Sequence, residues 1–238
     1  MKKLHDRNPL AFALIWIGIY VVLLSAADGI SGQLGIAKVI TAPLSLAMTA
    51  ILLLWTEKNG LWQHFGLQAF AGEPKQFLYF VPLALLVSVN LWWGFDLGLS
   101  PLEAALAVVS MLCVGFLEEL IFRGFLFKAL CKDNLKLAVI ISSITFGLGH
   151  IVNLLNGSNP LLTGLQIVYA ICAGFLFTVI LLRGKSLWPC ILTHSALNSL
   201  SIFSREPDLT GQLLSAAFLC VLPLAYSFYI LKKADKRT

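Results

Sequence analysis

The chain has 238 residues, of which 58% are apolar and only 12% charged, and its formal net charge is +5. Soluble domains carry roughly 25% charged residues, and a water-soluble fold of this size would leave much of that apolar surface facing water. The positions of the charges exclude a nucleic-acid binder as well. Lys2, Lys3 and Arg7 open the chain, Lys232, Lys233, Lys236 and Arg237 close it, and the others sit in small groups between apolar runs.

Lipid is the solvent this composition suits. A hydrocarbon core about 30 Å thick takes roughly 20 apolar residues per helix. Such runs fall at about 10–27, 35–55, 76–95, 101–130, 137–151, 161–182, 187–203 and 211–231. The expectation is an all-α, polytopic integral membrane protein of about eight transmembrane helices, forming one membrane domain over residues 1–238. Turn-forming pairs separate the runs, among them Asp28-Gly29, Asn59-Gly60, Ser100-Pro101 and Asn159-Pro160. The first run resembles a signal peptide in its basic start and in Ser25-Ala26-Ala27. Its apolar core of 18 residues exceeds the usual 7–15, so an uncleaved first helix is expected. The fourth run is too long for a simple span and should extend or bend past the bilayer. The segment at 56–75 carries Leu61, Trp62, Phe65 and Phe70 and reads as an interfacial stretch. Five cysteines, an odd number without C-x-x-C spacing, read as small buried hydrophobes instead of a disulfide framework.

Basic residues set the orientation, because Lys and Arg collect in cytoplasmic loops. With a cytoplasmic N-terminus, eight spans put every Lys and Arg of the 17 inside except Lys38, Arg123 and Arg205. A plasma-membrane protein of bacterial type with both termini cytoplasmic is expected.

Ionisable groups at membrane depth are costly and mark functional sites. Three patterns hold nearly all of them: Glu118-Glu119-Leu-Ile-Phe-Arg123 in the fourth run, Phe146-Gly-Leu-Gly-His150 in the fifth, and His194-Ser-Ala-Leu-Asn198 in the seventh. Glu119 and Arg123, four apart, can pair on one helix face. Glu118 points about 100° away and is left comparatively free. His194 and Asn198 face one direction together. At 1.5 Å per residue, Glu118, His150, His194 and Asn198 all come to roughly similar depth in the inner to middle bilayer.

Such a cluster suits hydrolysis of a peptide bond. A carboxylate in an apolar site can act as general base toward water, a histidine can share the proton or bind a metal, and Asn and His donors can hold an oxyanion. Glu118, His150 and His194 also match the donor set of a catalytic zinc site. Asn198 is a poor zinc ligand and a good oxyanion donor, so a metal-free arrangement is slightly favoured over Zn2+. Substrate is expected from the inner leaflet or the cytosolic face.

At these residues the sequence resembles the CAAX-processing and bacteriocin-processing (CPBP) family of intramembrane proteases. The resemblance covers roughly residues 77–203. It implies an α-helical membrane endopeptidase in which Glu118 and His150 activate water while His194 and Asn198 stabilise the oxyanion, with Glu119 and Arg123 supporting. It implies a peptide or protein substrate that is membrane-associated or lipidated. The competing class is a transporter or a non-proteolytic bacteriocin-immunity protein that binds with the same residues. Other intramembrane protease chemistries fit poorly: no His is followed by Glu in an H-E-x-x-H, and no aspartate lies in G-x-G-D. Gly29-Ile30-Ser31-Gly32 matches a rhomboid-type serine motif in letters alone.

Overall fold

A computed structural model describes residues 1–234; the basic residues Lys236 and Arg237 lie outside them. The chain folds as helices, and the one isolated β-bridge among the described residues joins Phe95 and Ser204. A short α1 (Lys2–Arg7) leads into α2 (Pro9–Gln33), which starts where the Asn8 side chain accepts the Ala11 N–H and proline occupies the first turn. Next comes α3 (Thr41–Lys58). The third expected run is irregular: a 3-10 stretch, Pro74–Phe80, precedes a short α4 (Val81–Ser88). Leu78, Tyr79 and Phe80 there hold φ of 49°, 50° and 61°, a left-handed backbone that costs a side-chain-bearing residue about 1–2 kcal/mol.

The fourth run forms one continuous helical rod. Helix α5 (Pro101–Glu118) opens on a capping box between Ser100 and Glu103. It widens into a π-helical segment, Glu119–Phe127, and returns to a turn of α6 (Lys128–Leu130). After it come α7 (Leu135–Gly149), the single-turn α8 (Val152–Leu155), α9 (Pro160–Gly184), α10 (Trp188–Ser201) and α11 (Leu209–Ala234).

Six of these segments are long and apolar enough to cross a membrane: Pro9–Gln33, Pro74–Leu91, Pro101–Leu130, Leu135–Leu155, Pro160–Gly184 and Leu209–Lys233. The runs expected at 35–55 and 187–203 are helical but fall outside that set. Helix α3 ends in Glu57-Lys58, and α10 has only 14 residues, about 21 Å of helix at 1.5 Å per residue. Leu14, Val22, Leu46, Leu137, Leu192 and Phe228 all lie on the outside of the bundle, as lipid-facing side chains must. The chain is an integral membrane protein.

The segment expected to lie at the interface instead turns inward. Phe65 and Leu67 are each only 1% exposed. The Phe65 ring packs edge-on against Phe125 at 4.9 Å, and Trp188 donates its indole N–H to the Leu67 carbonyl. Apolar residues within hydrogen-bonded turns gain more from a core cleft than from headgroups. All five cysteines are free thiols, and Cys113 and Cys190 are buried as expected. Ser31 is on α2, not in a loop, and its hydroxyl donates to the Ala27 carbonyl one turn back; among the described residues it has no histidine partner of the kind a serine protease needs.

Hydrogen bonds fix what gathers at each end of the bundle. At one end, the Ala71 N–H reaches the Gly184 carbonyl, Ser186 reaches Gln68, and a small cleft unites His5, His64, Lys128 and Lys132. At the other, the Ala37 N–H reaches Glu103, Asp96 and Phe203 pair, and Arg205 pairs with Gly94. The first end holds the basic loops; the second holds Lys38 and Arg205. This asymmetry predicts that cysteines placed at Lys58, Lys132 and Lys185 are shielded from a membrane-impermeant reagent outside intact cells. Labelling of any two from outside would invert the topology.

Candidate active site

The rod α5–α6 carries two adjacent glutamates into different surroundings. Glu119 and Arg123 are both 0% exposed, and the Arg123 Nη1 lies 3.1 Å from Glu119 Oε1. The pair read from spacing is therefore made. Arg123 is held by more than this contact. Its guanidinium sits 3.9 Å over the Phe146 ring, with Phe177 on another side at 5.7 Å, and a desolvated cation on an aromatic face gains about 2 kcal/mol. Its Nε and Nη2 find no hydrogen-bond partner among the described residues, so the ring faces carry that part of the charge.

Glu119 has a second partner that spacing alone does not reveal. His194 Nδ1 lies 2.9 Å from the same Oε1. A ring nitrogen aimed at a carboxylate is the protonated one, so Nδ1–H donates to Glu119 and the ring's orientation is fixed. The opposite nitrogen, Nε2, then faces Glu118, 3.4 Å from its Oε2.

Glu118 differs in kind. Its side chain keeps 12% exposure. Oε1 accepts a short hydrogen bond of 2.5 Å from the hydroxyl of Tyr20, a residue of α2 that sequence reading did not single out. Its one signal is a polar tip within an apolar helix, which is weak because membrane helices carry many tyrosines. Oε2 is buried, has no hydrogen bond among the described residues and lies 3.4 Å from His194 Nε2.

These contacts require close helix packing. Gly115, one turn before Glu119, faces Ser195, and a Cβ there would stand 2.7 Å from the Ser195 backbone nitrogen. Glycine thus lets α5 and α10 approach closely enough for His194 to reach both glutamates. Asn90 holds α10 from the other side by donating to the Leu197 carbonyl. Phe146 contacts several members of the site. It stands edge-on to both His150 and His194 with centroids at 5.8 and 5.6 Å, so one ring spaces both histidines and supports Arg123.

A cavity of about 330 Å³ opens in front of Glu118 and is also lined by Tyr20, His150, Asn153, Gln166 and Asn198. His150, just past the end of α7, shares this wall with Glu118 without a hydrogen bond to it. A second cavity of about 180 Å³ is lined by His150, His194 and Asn198 together with Tyr169, Phe177 and Leu219. His150 and Asn198 thus border both cavities, Glu118 the first and His194 the second. Asn153 donates to Gln166 across the cavity wall.

Zinc is the alternative reading of Glu118, His150 and His194. A zinc ion needs ligand atoms converging at about 2.0–2.2 Å on one point. Among the described residues, no three His, Cys, Asp or Glu side chains form such a group.

Residues 100–200 match the family model described as Rce1-like, type II CAAX prenyl endopeptidase. No curated protein matches the chain. The matched stretch contains Glu118, Glu119, Arg123, His150, His194 and Asn198, while Tyr20 joins them from outside it. Over residues 100–200 the chain is similar to the Rce1-like type II CAAX prenyl endopeptidases.

Proposed function

We propose that the protein is an intramembrane endopeptidase in which Glu118 activates water for attack on a peptide carbonyl. The observation that carries this reading is the contrast between the glutamates. Glu119 is wholly enclosed and bonded through Oε1 to Arg123 and His194, while Glu118 keeps 12% exposure and borders a cavity. A carboxylate in such a place is fitted to take a proton.

Water held between Glu118 and His150 gives its proton to Glu118 as its oxygen bonds to the carbonyl carbon. The carbonyl oxygen becomes an oxyanion, and Asn198 and His194 Nε2 supply donors to it, the latter when the ring carries both protons. Collapse of this intermediate breaks the C–N bond, and the proton on Glu118 passes to the departing amine. Tyr20 holds Glu118 in one rotamer by donating to Oε1. Glu119 acts through His194 as a positioning residue. The substrate is a peptide or protein segment at the membrane, and the family implies a lipidated one. The competing reading, binding or transport through the same polar cavity, has no use for the Glu119–His194 bond.

Glu118→Gln keeps size and shape and should lower turnover about 10²–10⁴-fold with the fold intact. Glu119→Gln removes the carboxylate facing a fully buried Arg123 and should cost about 3–5 kcal/mol of stability, read as lost expression and a lower Tm. Near-normal turnover by purified E118Q, or an exchange of the two phenotypes, sinks the assignment.

The same reading makes catalysis independent of metal. Active purified protein should keep its turnover after exhaustive chelation. Stoichiometric zinc whose removal abolishes activity and whose return restores it would overturn this arrangement.

A further inference from the structure

A groove lies on the outer side of the bundle, away from Glu118. Helices α7 and α9 meet closely at one end, where Gly147 faces Ile167 and Ile171 and Gly174 faces Ser143. Toward the basic end larger side chains hold them apart, and the space between becomes a groove of about 580 Å³, completed by Leu231 of α11. Buried Val139 and Val179 form its floor, and exposed Leu135 and Ile140 its rim. No residue that lines the two cavities at the site lines this groove. Phe175 and Val179 are each two residues from Phe177, which borders the second cavity, and two residues turn a helix by about 200°.

Three cations stand at the basic end of the groove: Lys136, Arg183 and Lys185. Among the described residues that line it, none is Asp or Glu. Lys136 lies in the first turn of α7, where the helix dipole favours negative charge over a cation. Lys185, just past the end of α9, holds φ of 57°, a left-handed backbone that glycine adopts at lower cost. Neither residue is the choice that local helix stability alone would favour. Both serve instead to put positive charge beside an apolar trough.

We propose that this groove binds an anionic phospholipid, with an acyl chain along the apolar floor and the phosphate held by Lys136 and Lys185, with Arg183 beside them. The two halves of the groove select the ligand together. Free phosphate would leave the apolar floor uncovered, and a neutral lipid would leave the cations unanswered. A zwitterionic headgroup brings an ammonium of its own toward them. A lipid with net negative charge satisfies both halves, as basic pockets between membrane helices do for anionic headgroups. The inference does not depend on the peptidase reading.

Native mass spectrometry of the purified full-length protein in detergent tests it, with dioleoyl phosphatidylglycerol and dioleoyl phosphatidylcholine as probes. One phosphatidylglycerol should stay bound under conditions that strip phosphatidylcholine. The double variant Lys136→Gln/Lys185→Gln should weaken that binding about tenfold or more, whereas Lys58→Gln/Lys132→Gln, which removes two other cations of the same end, should leave it unchanged. Inorganic phosphate and glycerol phosphate should not displace the lipid at equal concentration. Equal retention of the two lipids by the wild-type protein overturns the proposal, as does equal weakening by both double variants. Displacement by glycerol phosphate would reduce the site to a headgroup contact and overturn it too. Displacement by an uncharged prenyl alcohol, undiminished in the K136Q/K185Q protein, would assign the groove to a lipid anchor instead. A protein dimer that excludes the lipid would assign it to a second copy of the chain.

Discussion

Arg123 is the constraint on which the rest of the site depends. A guanidinium cannot shed its charge at any ordinary pH, and this one has no contact with solvent. Something must balance it within the bundle. Glu119 does so directly, and the face of Phe146 shares the load. Once Glu119 is held there, its oxygen becomes a fixed acceptor, and His194 is oriented by donating to it. The ring's far nitrogen is thereby presented toward Glu118 without any flexible element in between. A charge that would be a liability in lipid thus becomes the anchor for a rigid polar arrangement, and each member is costly to remove because another is left unpaired.

The backbone cooperates at the same level. Glu118 closes α5, and the wider π turns begin at Glu119, so two consecutive carboxylates part toward different neighbours. Such π segments occur often at functional sites, where they re-aim side chains that a regular helix would present otherwise. Gly115 then permits α10 to lie close, and Gly147 does likewise for α7, since a Cβ there would meet the Ile167 carbonyl at 2.7 Å. Small residues at such crossings are how membrane helices gain contact where lipid supplies no hydrophobic drive. Site geometry is consequently a packing property of the bundle, not of the loops.

Much of this was legible in the residues. Charge scarcity and apolar runs give the helical membrane class, and the i, i+4 spacing of Glu119 and Arg123 gives their ion pair. Agreement in depth brings Glu118, His150, His194 and Asn198 to one region. What spacing cannot give is azimuth between helices. The Glu119–His194 bond joins residues 75 apart, and Tyr20 meets Glu118 from 98 residues away; both depend on how helices rotate against each other. Phe146 illustrates the same limit, because its importance lies in three neighbours from three helices. Six spans meet the length and apolarity a crossing needs; α3, which ends in charges, and α10, which is short, lie outside that set, though both are helices within the bundle. The 56–75 stretch misled because aromatic residues at an interface and aromatic residues plugging a bundle end have the same composition.

Hydrolysis inside a membrane needs water where lipid excludes it, and this bundle meets that need by being unequal at its two ends. Aromatic packing of Phe12, Trp55, Phe65 and Phe125, with ring centroids 4.9 to 6.0 Å apart, closes the basic end. The opposite end is bridged by side-chain hydrogen bonds, Lys38 and Thr41 to Asp28 and Asn153 to Gln166, which water can share and apolar chains cannot. Dense apolar packing and a hydrated polar channel cannot occupy the same volume. Placing them at opposite ends of the rod that carries Glu118 leaves Glu119 and Arg123 enclosed and Glu118 beside the cavity. Two adjacent, chemically identical side chains are thus given different work by which end of the bundle each one sees.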